Sequence, residues 1–226
     1  MSDISTTIAA LAEVEVPTLG HFLEDGFCDP GIARVQPEAR LMAGVAHTLH
    51  LATPDALAVN RALLELPAGA VLVVEVAGGA HAPVGAVTAA VAVARKAAGI
   101  VVEGPVTDAA RLRSSAVADL LPVYSRGLTS RTTKRLGTST ERLRQPVQVG
   151  GVTVRTGDIV LGDENGVLVI DPATLDPDIV QRARRSDAEE PALLDRIARG
   201  ADLARLLPTS PEATVPVSPE ATSRKA

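Results

Sequence analysis

Three stretches of this chain carry residue types that can do chemistry at neutral pH. His81 lies just ahead of Gly85, and an imidazole titrates near neutrality, which suits it to move a proton. Gly85 stands directly before the apolar run Ala86-Val-Thr-Ala-Ala-Val-Ala-Val-Ala94. A helix starting there leaves the N–H groups of Ala86, Val87 and Thr88 without helix carbonyls, and such a start can hold an anion or a carbonyl oxygen. Thr107 and Asp108 precede Ala109 and are of the types that cap a helix N-terminus. A loop histidine satisfied by water and an aspartate that only caps are the alternatives these residues leave open. His47 and His50, in Val45-Ala-His-Thr-Leu-His-Leu51, face opposite sides of a strand, which argues against a two-histidine metal site.

The elements that must position these residues are legible as apolar periods and breakers. Ser5 to Glu15 suits a short, peripheral amphipathic helix closed by Pro17, and Asp55 to Leu66 repeats the helical period until Pro67-Ala-Gly69 ends it. A strand over Val71–Val76 follows. Ala86 to Ala98 reads as a helix with Arg95 and Lys96 in its last turn and Gly99 as C-cap, ahead of a buried strand over Ile100–Glu103. Strand, helix and strand in alternation imply parallel pairing in a layered α/β arrangement. After Gly137, short β-rich runs broken at Gly150-Gly151, Thr156-Gly157 and Asn165-Gly166 read as hairpins of a second sheet, antiparallel or mixed. Asp176 to Gly200 returns to helix, with Pro191 expected to kink it or start a new segment.

Composition limits the function classes. With 226 residues and 46% hydrophobic content, the chain can bury one good core. Aromatic residues make up only 1%, so that core is built from Val, Leu, Ile and Ala. A net charge of −5 with scattered Lys and Arg offers no basic stripe to a phosphate backbone, which argues against nucleic acid as a partner. Cys28 is the single cysteine, so there is no internal disulfide and no cysteine cluster for zinc. No stretch approaches a membrane span and the start lacks a signal-peptide pattern, so a cytoplasmic protein is expected. Residues 1–25 read as a helical arm, 26–206 as one α/β domain, and 207–226 as a Pro/Ser/Thr/Ala-rich tail expected to stay disordered or to lie along a neighbouring subunit.

From Thr53 to Gly200 the chain resembles the RraA-like and 4-hydroxy-4-methyl-2-oxoglutarate aldolase family. The blocks that carry the resemblance are Val71-Leu-Val-Val-Glu-Val-Ala-Gly-Gly79, His81-Ala-Pro-Val-Gly-Ala-Val-Thr88 and Gly99-Ile-Val-Val-Glu-Gly-Pro-Val-Thr-Asp108. Leu121-Pro-Val-Tyr-Ser-Arg-Gly127, Thr132-Thr-Lys-Arg-Leu-Gly137, Gln145–Val154, Gly157–Val160 and Asp163–Val169 follow in family order. The resemblance implies a layered fold of the swivelling β/β/α type and a homo-oligomer, a ring-shaped trimer or a hexamer built from two, with sites between subunits. It implies a small-molecule lyase whose substrate lies at Gly85, Ala86, Val87 and Thr88, with Lys134 near it. Asp108 would hold Mg²⁺ or another divalent metal, and Glu190, reaching a neighbouring subunit's site, would be the second metal-site acid.

Two positions depart from the family pattern. Thr107 stands where the family has an arginine, and Ala86 where aldolase members have an acid. Losing the arginine removes transition-state charge stabilisation commonly worth roughly 10²–10³ in rate. A less charged, more apolar substrate than the usual oxoacids is therefore expected. The alternatives are a metal-independent dehydratase, isomerase or cyclase of a specialised biosynthetic pathway, using His81, Thr107 and Asp108, and a non-catalytic regulator that binds a protein partner.

Overall fold

The computed structural model describes residues 4–137 and 141–207. In chain order the elements are α1 (Ile4–Leu11), α2 (Val16–Leu19), β1 (Ala33–Arg34), β2 (Met42–Leu51), α3 (Ala56–Glu65), β3 (Ala70–Val76), α4 (Ala86–Ala94), β4 (Gly99–Glu103) and α5 (Ala109–Leu112). Next come α6 (Ser115–Ala118), β5 (Val123–Ser125), β6 (Glu141–Leu143), β7 (Val147–Val149), β8 (Val152–Val154), β9 (Ile159–Gly162), β10 (Val167–Ile170), α7 (Pro177–Ala198) and α8 (Leu203–Leu206).

Continuous apolar runs such as Val71-Leu-Val-Val74 suit parallel strands covered on both faces. Strands β2, β3, β4 and β5 pair in parallel and lie side by side in chain order. Repeated right-handed crossovers in one direction put every connecting helix on the same face. On that face Leu72, Val74 and Ile100 pack with Ala62, Leu63, Ala89 and Ala92 of α3 and α4. On the other face Val71, Val73, Val101 and Tyr124 pack with Val147, Val149 and Val154 of the two-stranded antiparallel sheet β7–β8. The result is a layered α/β fold of helices, main sheet and small sheet. Edge strand β1 lies antiparallel to β5, and β9, β10 and β6 extend the sheet beyond β2.

Several local expectations are corrected. The first helix ends at Leu11, and Pro17, instead of closing it, lies in the first turn of α2, where its missing N–H costs nothing. This arm is no loose attachment: Leu11, Val16 and Leu19 are buried with Leu161, Leu168, Val180 and Ala183. Helix α4 stops at Ala94 with Arg95 as C-cap, Lys96 takes the left-handed conformation at φ 57°, and Gly99 is the first residue of β4. Thr156-Gly157 does not turn a hairpin, because β9 pairs with β2 and β10 instead of β8. Helix α7 runs unbroken through Pro191. Most of the 207–226 tail lies outside the described residues.

His47 points to the helix face of β2 and is 4% exposed, with its Nε2 buried and without a hydrogen-bond partner among the described residues. Burial first, then Arg144, pulls its pKa below 6.5, while Glu65 opposes. Above its ordinary pKa both folded and unfolded forms are neutral and nothing is lost. As pH falls below 6.5, the unfolded chain binds the proton first, so stability declines until the folded value is reached. Urea midpoints at pH 7.5 and 5.5 check this, and the decline is expected to be smaller in His47→Gln.

Candidate functional site

The parallel strands β2 to β5 end on one edge, and the loops leaving that edge carry the residues singled out by sequence. Ligands of open α/β sheets gather at such carboxyl ends. After β3 the chain passes through Gly78 and Gly79, both with positive φ, to half-buried His81 and then Gly85. After β4 it passes through Gly104 to Thr107 and Asp108. The Thr107 N–H donates to Val84 O at 2.9 Å and ties the two loops together.

Asp108 occupies the N-cap position of α5 in the left-handed conformation, φ 56° and ψ 40°, yet makes no side-chain cap bond to that helix. Its Oδ2 instead accepts the Ala86 N–H at 2.8 Å. The expected cap of α5 is thus a cap of α4. The reason is Gly85: as N-cap of α4 it has no side chain to offer, and a carboxylate at a helix N-terminus is favoured by both hydrogen bond and dipole. The fit is close. A Cβ added at Gly85 would lie 2.5 Å from Asp108 Oδ2 and 2.8 Å from Thr107 Cγ2. A left-handed aspartate costs about 1–2 kcal/mol, and backbone strain of this kind gathers at functional sites.

The other predicted residues are placed as follows. Val87 is 79% exposed, and the Thr88 hydroxyl donates to Pro83 O at 3.4 Å. His81 makes no side-chain hydrogen bond among the described residues. Lys134 is exposed, and its backbone is tied to Pro54 O and Ala56 N on the loop into α3. Glu190 does not join this group within one chain. It lies on α7, which packs against α2, and its charge acts on Glu15. No group of three metal-ligating side chains occurs among the described residues.

Strand register assembles a second set that sequence reading missed. His50 lies beside Glu75, and Glu75 beside Glu103. His50 Nδ1 and Glu75 Oε2 are 3.0 Å apart. Glu103 is bonded to Arg126, whose guanidinium also grips both oxygens of Asp29 at 3.0 and 2.7 Å. That grip holds the Asp29 carboxyl below its ordinary range. Glu75 and Glu103 also accept the N–H groups of Gln148 and Gly150, at 3.2 and 2.6 Å, and so fasten β7 to the main sheet. The available signal was a glutamate closing each buried run, in Val71-Leu-Val-Val-Glu75 and Ile100-Val-Val-Glu103.

Two features are unsuited to the chemistry. Burial pushes the Cys28 thiol up to about 12, so it offers no thiolate at neutral pH. A recess of about 700 Å³ between α1 and the start of α7 has no titratable side chain in its lining.

The family model for RraA-like proteins, described as Aldolase/RraA, matches residues 8–169. The chain belongs to the RraA-like family. A putative 4-hydroxy-4-methyl-2-oxoglutarate aldolase from Halalkalibacterium halodurans is 32% identical over 152 residues, 67% of this chain and 69% of that protein. Among solved structures, an uncharacterized protein from Pseudomonas syringae pv. tomato superposes with a TM-score of 0.74 at 23% identity, covering 90% of this chain and 93% of that one. The RNA-processing inhibitor RraA from Thermus thermophilis gives a TM-score of 0.59 at 29% identity, over 69% of this chain and 92% of that one. No helix among the described residues of this RraA-like chain is long and apolar enough to cross a membrane.

Proposed function

We propose that the chain is a divergent RraA-like small-molecule lyase of the aldol-cleavage or decarboxylation type. The observation that carries this reading is the strained Asp108, held by the Gly85 cradle at the carboxyl edge of the sheet. The relative from Halalkalibacterium halodurans, named a putative aldolase, supports it. Asp108 Oδ2 is committed to Ala86, whereas Oδ1 makes no hydrogen bond among the described residues. One carboxylate oxygen fits a hydrated divalent cation such as Mg²⁺, which needs only one or two protein carboxylates. Bound there, such an ion would supply Lewis-acid stabilisation of an enolate. The chain's own residues would orient the carbonyl at the start of α4, with His81 available to move a proton.

Thr107 weakens this chemistry. Pyruvate release from 4-hydroxy-4-methyl-2-oxoglutarate, measured with Mg²⁺, is expected to be slow in the wild type and to rise roughly 10²-fold in Thr107→Arg combined with Ala86→Glu. Efficient wild-type turnover would remove the emphasis on Thr107. No release from either protein would favour the regulator reading, to which the name of the Thermus relative gives support.

A homo-oligomer, trimer or hexamer, belongs to the same proposal. Helix α4 carries no charged residue, yet Val87, Ala90 and Ala94 are exposed, and such a face calls for a cover. Leu194, at 55%, and Leu203, at 49%, are exposed near the end of the chain's helical part. Sedimentation is expected to give three or six times the 23.3 kDa chain mass. A stable monomer at micromolar concentration would defeat this.

A further inference from the structure

We infer that the recess between α1 and the start of α7 is a docking site for this chain's own segment Ala213–Pro219, which reaches it by running back along α7. The recess, of about 700 Å³, has apolar walls that include Ala10, Leu175 and Val180, and the polar groups in its lining, Thr6, Thr7 and Gln181, are all uncharged. It shares no residue with the carboxyl edge of the main sheet. Apolar surface of this kind calls for a cover.

The chemistry of the lining selects the occupant. A charged side chain entering an apolar recess gives up its hydration with no partner to replace it. Between Glu212 and Glu220 the sequence reads Ala-Thr-Val-Pro-Val-Ser-Pro219, uncharged throughout, and Val215 and Val217 are the only large aliphatic residues in 208–226. Pro216 and Pro219 have a fixed φ, which reduces the entropy lost when the segment is ordered.

The chain is also long enough to return. Helix α7 leaves the recess at Pro177 and Val180, and its 22 residues carry the chain about 33 Å away. Only α8 intervenes before Leu207. Val215 and Val217 lie eight and ten residues beyond Leu207, a reach of about 25–31 Å at the spacing of a proline-rich chain. An antiparallel path along α7 therefore brings them to the recess.

That direction pairs opposite charges. Glu212, three residues ahead of Val215, falls beside Arg184 and Arg185, one turn along α7 from Gln181. Arg185 makes no ion pair among the described residues. Past the recess, Arg224-Lys225 meets Asp171, Asp176 and Asp178, which adjoin the lining residues Pro172 and Pro177 in the chain. The opposite direction would lay Arg224-Lys225 along the arginines.

The test adds a synthetic peptide of residues 208–226 to the full-length protein and measures binding by calorimetry. A tethered segment has an effective concentration on the order of 1 mM, so docking requires a peptide dissociation constant below that value. The full-length variant Val215→Asp with Val217→Asp, whose own segment cannot enter, is expected to bind the peptide saturably. Wild type should bind it roughly tenfold more weakly or worse, because its own segment competes. Thr6→Asp, added to the double variant, puts a charge in the recess at the first turn of α1, where the helix dipole favours an acid, and should weaken the peptide roughly tenfold. Equal affinity in wild type and double variant, no saturable binding below about 1 mM, or indifference to Thr6→Asp would each overturn the inference. A fall in sedimentation mass from wild type to double variant would overturn it too, by assigning the recess to a neighbouring copy's segment.

Discussion

Glu103→Ala is expected to lower stability by about 2–4 kcal/mol. Glu103 closes a buried strand and holds two groups directly and a third through one of them. Its carboxylate accepts the Gly150 N–H at 2.6 Å and pairs with Arg126, and through Arg126 it reaches Asp29. Alanine leaves the Gly150 N–H without its acceptor and Arg126 with one carboxylate in place of two. Because Gly150 belongs to the β7–β8 turn, the small sheet loses one of the two bonds that fasten its edge to β3 and β4. Glu103→Gln keeps an acceptor for Gly150 and is expected to lose less. The chain has no tryptophan, so far-UV circular dichroism in urea is the measurement. A difference from wild type within about 0.5 kcal/mol, the range of ordinary surface substitutions, would show that the row does not fasten the small sheet.

Gly85→Ala is the second large effect, and it separates the site from the fold. The backbone at Gly85, φ −147° and ψ −160°, is extended and open to any residue, so the penalty comes from space alone. The new Cβ would meet Asp108 Oδ2 at 2.5 Å and Thr107 Cγ2 at 2.8 Å. The carboxylate can swing away, but the Ala86 N–H then loses its cap, worth about 1 kcal/mol. Thr107 cannot retreat freely, because its N–H is bonded to Val84 O. A stability loss of about 1–3 kcal/mol is expected, as for overpacking elsewhere, together with loss of any turnover at this edge. Asp108→Asn is the matched control. Asparagine tolerates the left-handed backbone and can still accept from Ala86, so its stability should stay within about 0.5 kcal/mol of wild type. Turnover unchanged in both variants would place the reacting groups elsewhere.

The sequence by itself determined the layers. Uninterrupted apolar runs at Val71–Val74 and Ile100–Val102 require cover on both faces, and the helical periods between them can supply it on only one. The β-rich remainder past Gly137 then has to cover the other. The family, too, was legible, because its blocks follow one another in order along the chain. What the tertiary structure decided is which distant groups meet. Asp108 reads locally as the cap of the helix that follows it, since capping propensity is a property of neighbours in sequence. It caps a helix 22 residues back instead, because parallel register brings the ends of β3 and β4 together and Gly85 leaves room for a carboxylate. Glu75 and Glu103, each an ordinary acid at a strand end, become one charged row only when β3 and β4 pair side by side.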